Sequence, residues 1–192
     1  MKKFRNFLFL IGIVPLLSSC GYNTMVQKEE AIAAQWAQVQ SVYQRRADLI
    51  PNLVNTVKGY AEFEKSTLTQ VTEARSKATS INIDPNKLDE ASLKKFQAAQ
   101  DELKGALSRL LVVVEQYPQL KANQNFLELQ AQLEGTENRI AVERMKFNDL
   151  TRDYNAYIRK FPQVIVARLF GFREKPYFEA ATGAEKAPEV KF

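Results

Sequence analysis

Along most of this chain, hydrophobic positions recur at alternating intervals of three and four residues, the period at which a helix keeps one stripe against a partner. The first seam is Ile32, Trp36, Val39, Tyr43, Arg46, Ile50, Leu53, Val57 and Tyr60, apolar or aromatic but for the arginine. A second is Leu93, Phe96, Gln100, Leu103, Leu107, Leu110, Val114 and Tyr117, again with one polar member. A third, Phe126, Leu133, Ile140, Phe147, Tyr154 and Phe161, holds a strict spacing of seven. Breakers limit the seams: Asp84-Pro85-Asn86 lies in a polar stretch, and Pro118 and Pro162 each follow the aromatic residue that closes a seam. The pattern predicts helices near 24–78, 89–117 and 123–161. A short fourth helix runs from Pro162 to Leu169 or Phe170, with Gly171 taking the left-handed conformation that ends it. At about 1.5 Å per residue the third helix is roughly 58 Å long, which suits a rod better than a globule. The predicted fold is therefore all-α: an elongated antiparallel up-and-down bundle of three long helices plus a short C-terminal one.

Pro51 interrupts the first of these helices, since it has no N–H for the carbonyl of Ala47 and its ring crowds that turn, at about 3 kcal/mol in a straight interior. The seam keeps its phase through the proline, which favours a kink over a reversal of direction. Asp48 is placed to cap a restarted segment.

Composition narrows the chemistry. In 192 residues there are no histidines and one cysteine, so the bases of Ser-His-Asp and Cys-His nucleophile systems and the ligands of zinc sites are missing. A disulfide within the chain is impossible. Seven glycines and seven prolines are few, in keeping with long uninterrupted elements.

The N-terminus reads as a targeting segment. Lys2, Lys3 and Arg5 precede the apolar run from Phe7 to Leu17, and Ser18-Ser19-Cys20 follows. That run is short for a bilayer core, which takes about 20 residues, so a signal peptide over 1–19 is expected rather than a span. Leu17-Ser18-Ser19-Cys20 resembles the lipobox of bacterial lipoproteins, in which the cysteine is acylated and becomes the new N-terminus. Two acyl chains at about 0.8 kcal/mol per buried methylene hold such a protein at a membrane far more firmly than one chain does. Gly21, rather than an aspartate, resembles the enteric pattern for the outer membrane. Loss of the leader removes three positive charges from a net +5. The remaining charges are interspersed without a basic cluster, so nucleic acid is not an expected partner. The expected organisation is a leader over 1–19, a helical bundle over 20–179 and a loose tail over 180–192, with the lipid on Cys20 in place of any cofactor and no metal.

The run Arg45-Arg46-Ala47-Asp48-Leu49-Ile50-Pro51-Asn52-Leu53-Val54-Asn55-Thr56-Val57-Lys58-Gly59-Tyr60 resembles the signature of the LemA family of bacterial envelope proteins. The likeness extends to Glu73-Ala74-Arg75, Tyr117-Pro118-Gln119-Leu120-Lys121, Glu137-Asn138-Arg139-Ile140-Ala141, Tyr154-Asn155 and Phe161-Pro162, and departs at Phe147-Asn148, where members commonly have Tyr-Asn. The resemblance implies a LemA-like four-helix bundle held at a membrane by its N-terminus, without established enzymatic activity. It also implies partners among other envelope proteins, membrane peptidases included.

Polar residues on or beside the seams are the candidate site. Arg46 sits in an apolar stripe with Arg45, Asp48, Asn52 and Asn55 around it, and the third helix carries Glu137, Arg144, Asn148 and Asn155 at spacings of seven, four and seven. If these helices are antiparallel neighbours, the two rows face one another, and a buried guanidinium calls for a carboxylate from Asp48, Glu137 or a nearby acid. Such a network fixes register in repeats that otherwise slip by a heptad, or it lines a groove for a ligand or partner. The expected function is a non-catalytic scaffold or interaction module. The alternative is a peptidoglycan hydrolase using paired carboxylates, Glu62 with Glu64 or Asp48 with Glu137. No loop resembles a calcium site. Trp36 is expected in the core. The apolar segment Val164, Ile165, Val166, Leu169, Phe170 and Phe172 is expected to close the end of the bundle in preference to lying on a membrane surface.

Overall fold

The computed structural model describes residues 2–59 and 65–179, with residues 2–20 and Asn86 given by their backbone alone. The elements are α1 (Lys2–Lys58), α2 (Lys65–Ser80), a 3-10 turn (Pro85–Lys87), α3 (Glu90–Val114), α4 (Pro118–Lys121), α5 (Gln124–Arg159) and α6 (Gln163–Phe170). No strand occurs among the described residues. The all-α bundle follows from the seams: Ile32, Trp36, Val39, Tyr43, Arg46, Ile50, Leu53 and Val57 are buried on α1, every second-seam residue from Leu93 to Val114 is buried on α3, and Phe126, Leu133, Ile140, Phe147 and Tyr154 are buried on α5. Trp36 is wholly buried, as a core position requires. Tyr60 lies outside the described residues, and so does the tail from residue 180 on.

The expected single helix over 24–78 is corrected. It is two helices, and the chain reverses between them. The Arg75 Nε donates to the Ala47 carbonyl over 2.7 Å, whereas 28 residues of one straight helix would separate the two by about 42 Å. A heptad seam records which face is apolar but not which way the chain runs, so its phase could not reveal the turn. At Pro51 the helix neither ends nor reverses. Pro51 is exposed, so its ring projects into solvent, while Ile50, Leu53 and Val54 beside it pack inward.

Pairings across the bundle give the directions. Gln35 meets Glu143 and Arg46 meets Glu137, so α1 and α5 are antiparallel. Lys77 meets Glu102 and Ala78 meets Gln100 across α2 and α3, so these run antiparallel too, and with the reversal between α1 and α2 the order is up, down, up, down through α1, α2, α3 and α5. A capping box starts α3: the Ser92 amide donates to the Asp89 carboxylate over 2.7 Å, and the Asp89 amide donates to the Ser92 hydroxyl over 3.1 Å. Hydrogen bonding from the Ser92 side chain, and then from its amide, holds the Asp89 carboxyl below its ordinary pKa. Asn123 caps α5, its side chain accepting from the Phe126 amide. Gly171 ends α6 at φ 79°, the left-handed conformation expected of it. Phe161, placed last on the third seam, is a correction: it is exposed, because α5 ends at Arg159 and the chain turns away at Pro162.

The core falls into two clusters. One is aliphatic apart from Phe126 and joins α1 from Leu49 to Val57 with α2, α3 and the start of α5. The other is aromatic and lies toward the start of α1, with Trp36, Tyr43, Phe96, Phe147, Tyr154 and Phe178. In that second half α2 and α3 give way to their connecting loop. Ile83 and Leu88 of the loop are buried, and the Ile83 carbonyl accepts from the Trp36 indole over 3.2 Å.

Candidate functional site

Arg46 stands where the two clusters meet, only 2% exposed. Its Nη1 donates to Glu137 Oε1 over 2.5 Å, and its Nη2 to Gln100, over 2.5 Å to the side-chain oxygen and 3.2 Å to the carbonyl. The Tyr43 ring lies 5.1 Å from the guanidinium carbon, a cation–π distance. Gln100 is itself tied to α2, donating to the Ala78 carbonyl. The two polar exceptions in the first and second seams therefore recognise each other, and Glu137 of α5 completes the set. One arginine thus joins α1, α3 and α5 directly and α2 through Gln100. Its Nε has no acceptor. Glu137 is partly exposed, and its outer oxygen lies 3.8 Å from Lys104, beside a shallow cleft lined by Leu107, Leu111, Leu133 and Glu134. Burial raises the Tyr43 phenol above its ordinary pKa against the opposing charges of Arg144 and Arg46, so it is a neutral ring at physiological pH.

The other predicted residues are not brought together here. Arg45, Asp48, Asn52 and Asn55 lie on the exposed side of α1. Asp48 accepts from Gln44 over 2.7 Å rather than from Arg46, because two residues along a helix is about 200° of turn. The Asp48 and Glu137 carboxylates are thus engaged by different groups on different faces. Glu62 and Glu64 lie outside the described residues. Among the described residues, no cluster of acidic or cysteine side chains has the form of a metal site.

The expected facing of the whole α5 polar row against α1 is also corrected. Beyond Glu137, the row binds the chain's own C-terminal segment, an extended strap over residues 172–179. The Asn148 side chain donates to the Phe178 carbonyl over 3.0 Å and accepts from its amide over 2.9 Å. Asn155 does the same with the Lys175 carbonyl and amide, at 2.9 Å each. The spacings agree: seven helical residues rise about 10.5 Å, and three extended residues span about 10 Å. Arg144 donates to the Glu179 carbonyl over 2.8 Å and lies 4.7 Å from the centre of the Phe178 ring. Phe178 stacks on Trp36, and Lys175 pairs with Glu29 of α1 over 2.6 Å. Sequence reasoning missed the strap. Its one available signal was the repeat of asparagine at an interval of seven, since a carboxamide can mimic a backbone pairing edge.

Arg75 completes the arrangement around Pro51. The carbonyl that Pro51 leaves without a donor is that of Ala47, and the Arg75 Nε of α2 supplies one. The exposed proline and the distant arginine are therefore one device.

α6 packs against the end of α5 and against α1 around Tyr22. Ala167 is buried and Val166 and Phe172 are packed against the aromatic cluster, while the Tyr22 ring meets Phe170 and Phe172 edge-on at 4.9 and 5.5 Å. The segment closes the bundle with one face only. Its other face is open.

The family profile described as LemA family matches residues 35–192, which takes in the arginine network and the strap. Among characterised proteins, the chain is similar to Protein LemA of Metamycoplasma hominis, 25% identical over 175 residues that cover 91% of this chain and 76% of that one. It is similar to Magnetosome protein MamQ 2 of Paramagnetospirillum magneticum, 29% identical over 175 residues, and to Magnetosome protein MamQ of Magnetospirillum gryphiswaldense, 27% identical over 174 residues. Each of those matches covers 82% of this chain but 64% of the relative, so the chain spans less than two thirds of the magnetosome proteins' length. With a profile matched over most of its length, this chain belongs to the LemA family.

Proposed function

We propose that this LemA-family chain is a lipoprotein of the bacterial envelope, acylated on Cys20 and held at a membrane, the outer one in cells that have two. There it acts as a non-catalytic scaffold for another envelope protein, a membrane peptidase being one class of partner. The observation that carries the reading is the order of elements before the bundle: basic residues, a short apolar run, then Leu17-Ser18-Ser19-Cys20, with the chain's single cysteine in the acceptor position. The family and the magnetosome relatives are in keeping with a membrane setting. Among the residues whose side chains are described, no helix is long and apolar enough to cross a membrane. A scaffold needs rigidity, which the Arg46 network and the strap supply. Mass spectrometry of the protein from its own envelope tests the anchor: a diacylglyceryl mass on Cys20, lost in Cys20→Ala, is expected, and a bare thiol on a membrane-bound chain overturns it. Arg46→Met tests the scaffold's working face. Changed stability with retained partner capture assigns the network to register alone, and unchanged stability with lost capture assigns it to recognition.

A further inference from the structure

The open face of α6 is an apolar feature of the described surface that the packing of the bundle leaves unexplained. Phe161 is 81% exposed, Leu169 76%, Ile165 59% and Phe170 57%. Ile165 and Leu169, four residues apart, form a stripe on α6, and Phe161 lies in the turn just before that helix. The segment that carries the stripe is itself basic. From Tyr154 to Arg173 there are four basic residues, Arg159, Lys160, Arg168 and Arg173, and no acidic one. All four are exposed, and among the described residues Arg159 pairs with an acid, Glu174 at 3.7 Å.

The position of the stripe matters as much as its composition. Tyr22 touches Phe170 and Phe172, and Cys20 is two residues away along the chain, at most about 7 Å. An acyl chain on Cys20 therefore enters the bilayer beside α6.

From this we infer that α6 is an interfacial foot. It lies in the headgroup region of an anionic phospholipid bilayer with Phe161, Ile165, Leu169 and Phe170 turned into the acyl boundary, while Lys160, Arg168 and Arg173 meet lipid phosphates. The inference rests on the membrane placement proposed above and adds a second contact to it. One tether point leaves a rod free to swing, and a second fixes its tilt. A second protein copy is a poor occupant, because a standard interface takes about 20–30 residues a side, and this surface offers four exposed apolar side chains.

The test uses the full chain on vesicles of phosphatidylglycerol and phosphatidylethanolamine. An environment-sensitive dye is placed through Leu169→Cys or, for comparison, Met145→Cys, an exposed site about 20 Å along α5 from Arg159. Acylation blocks the thiol of Cys20, and Cys20→Ser keeps the label single where acylation is absent. Quenchers are carried on the lipid acyl chains. At about 5–10 Å of burial, the dye at position 169 should lose roughly half its emission and the dye at 145 almost none. Acylated, vesicle-bound protein with no quenching at 169 overturns the foot and leaves the anchor standing. Dye shielded from aqueous iodide but not reached by the lipid quenchers, with a doubled molecular mass, overturns it in favour of a second copy. Quenching at 169 in a chain whose Cys20 is bare removes the lipid anchor and keeps the foot. An acylated chain that stays in solution overturns both.

Discussion

The two halves of the bundle are built on different principles. Around Leu103, Leu110 and Val57, four helices close on one another with aliphatic side chains and small residues such as Ala74, Ala78 and Ala106. Around Trp36 and Phe147, α1 and α5 run on, and α3 contributes only its first turns through Leu93 and Phe96. The gap left by α2 and α3 is filled by a loop, by α6 and by a strap with no regular secondary structure. Helices satisfy their own backbone groups, so the first half needs only to bury area. A strap cannot, and each buried peptide group on it needs an outside partner. Asn148, Asn155 and Arg144 are those partners, and large aromatic rings fill the volume that two absent helices would have occupied. Where the fold runs out of helices, it becomes polar and aromatic.

Removing Trp36 is the largest predicted blow to this contrast. Trp36→Ala should cost about 3–5 kcal/mol, and Leu103→Ala in the other half about 2–5 kcal/mol. Urea unfolding followed separately by tyrosine fluorescence and far-ultraviolet circular dichroism decides whether the halves melt together. Non-coincident transitions in Trp36→Ala would show that the strap-covered half is a separate cooperative unit. At the junction, the two ends of the Arg46–Glu137 pair should not be equivalent. Glu137→Ala leaves a buried guanidinium without its carboxylate, at about 3 kcal/mol or more, whereas Arg46→Met leaves a carboxylate that is already partly hydrated and should cost less. Equal midpoint shifts would show that burial of the arginine does not dominate.

Next in size is the strap. Asn155→Ala removes both bonds to Lys175 and should cost about 1–3 kcal/mol locally. Hydrogen exchange at the Lys175 amide should accelerate while amides around Leu103 keep their protection, and exchange unchanged at Lys175 would remove the asparagine from its assigned role. The smallest effect is the most specific. Arg75→Met should cost about 1 kcal/mol by leaving the Ala47 carbonyl without a donor. In a Pro51→Ala background the restored amide supplies that donor, so the cost should vanish. A double-mutant cycle with no coupling would separate the two residues.

Much of this was legible in advance, for a definite reason. Stripe residues such as Ile32, Leu103 and Ile140 must be buried together, so their spacing states where the helices are and which face is inward. The same logic made Arg46 conspicuous and called for an acid, which Glu137 provides. The turn after Lys58 was hidden because Leu68, Val71, Ala74 and Ala78 keep a helical period that reads the same in either direction. The strap was hidden for another reason: residues 172–179 carry no periodic pattern, and their pairing is specified by Asn148 and Asn155, on another element. Of the acids open to Arg46, Asp48 is near it in sequence but turned to another face, where it accepts from Gln44.

The Ala47 carbonyl carries a consequence for how the hairpin of α1 and α2 is selected. Almost every peptide oxygen within α1 is already engaged by the amide one turn on, so a guanidinium sliding along it meets closed doors. Pro51 leaves this door open at one height. Small residues such as Ala74 and Ala78 would tolerate several alignments almost equally well, but only one lets Arg75 dock. A defect that weakens one helix in isolation thereby becomes the address at which its neighbour is delivered.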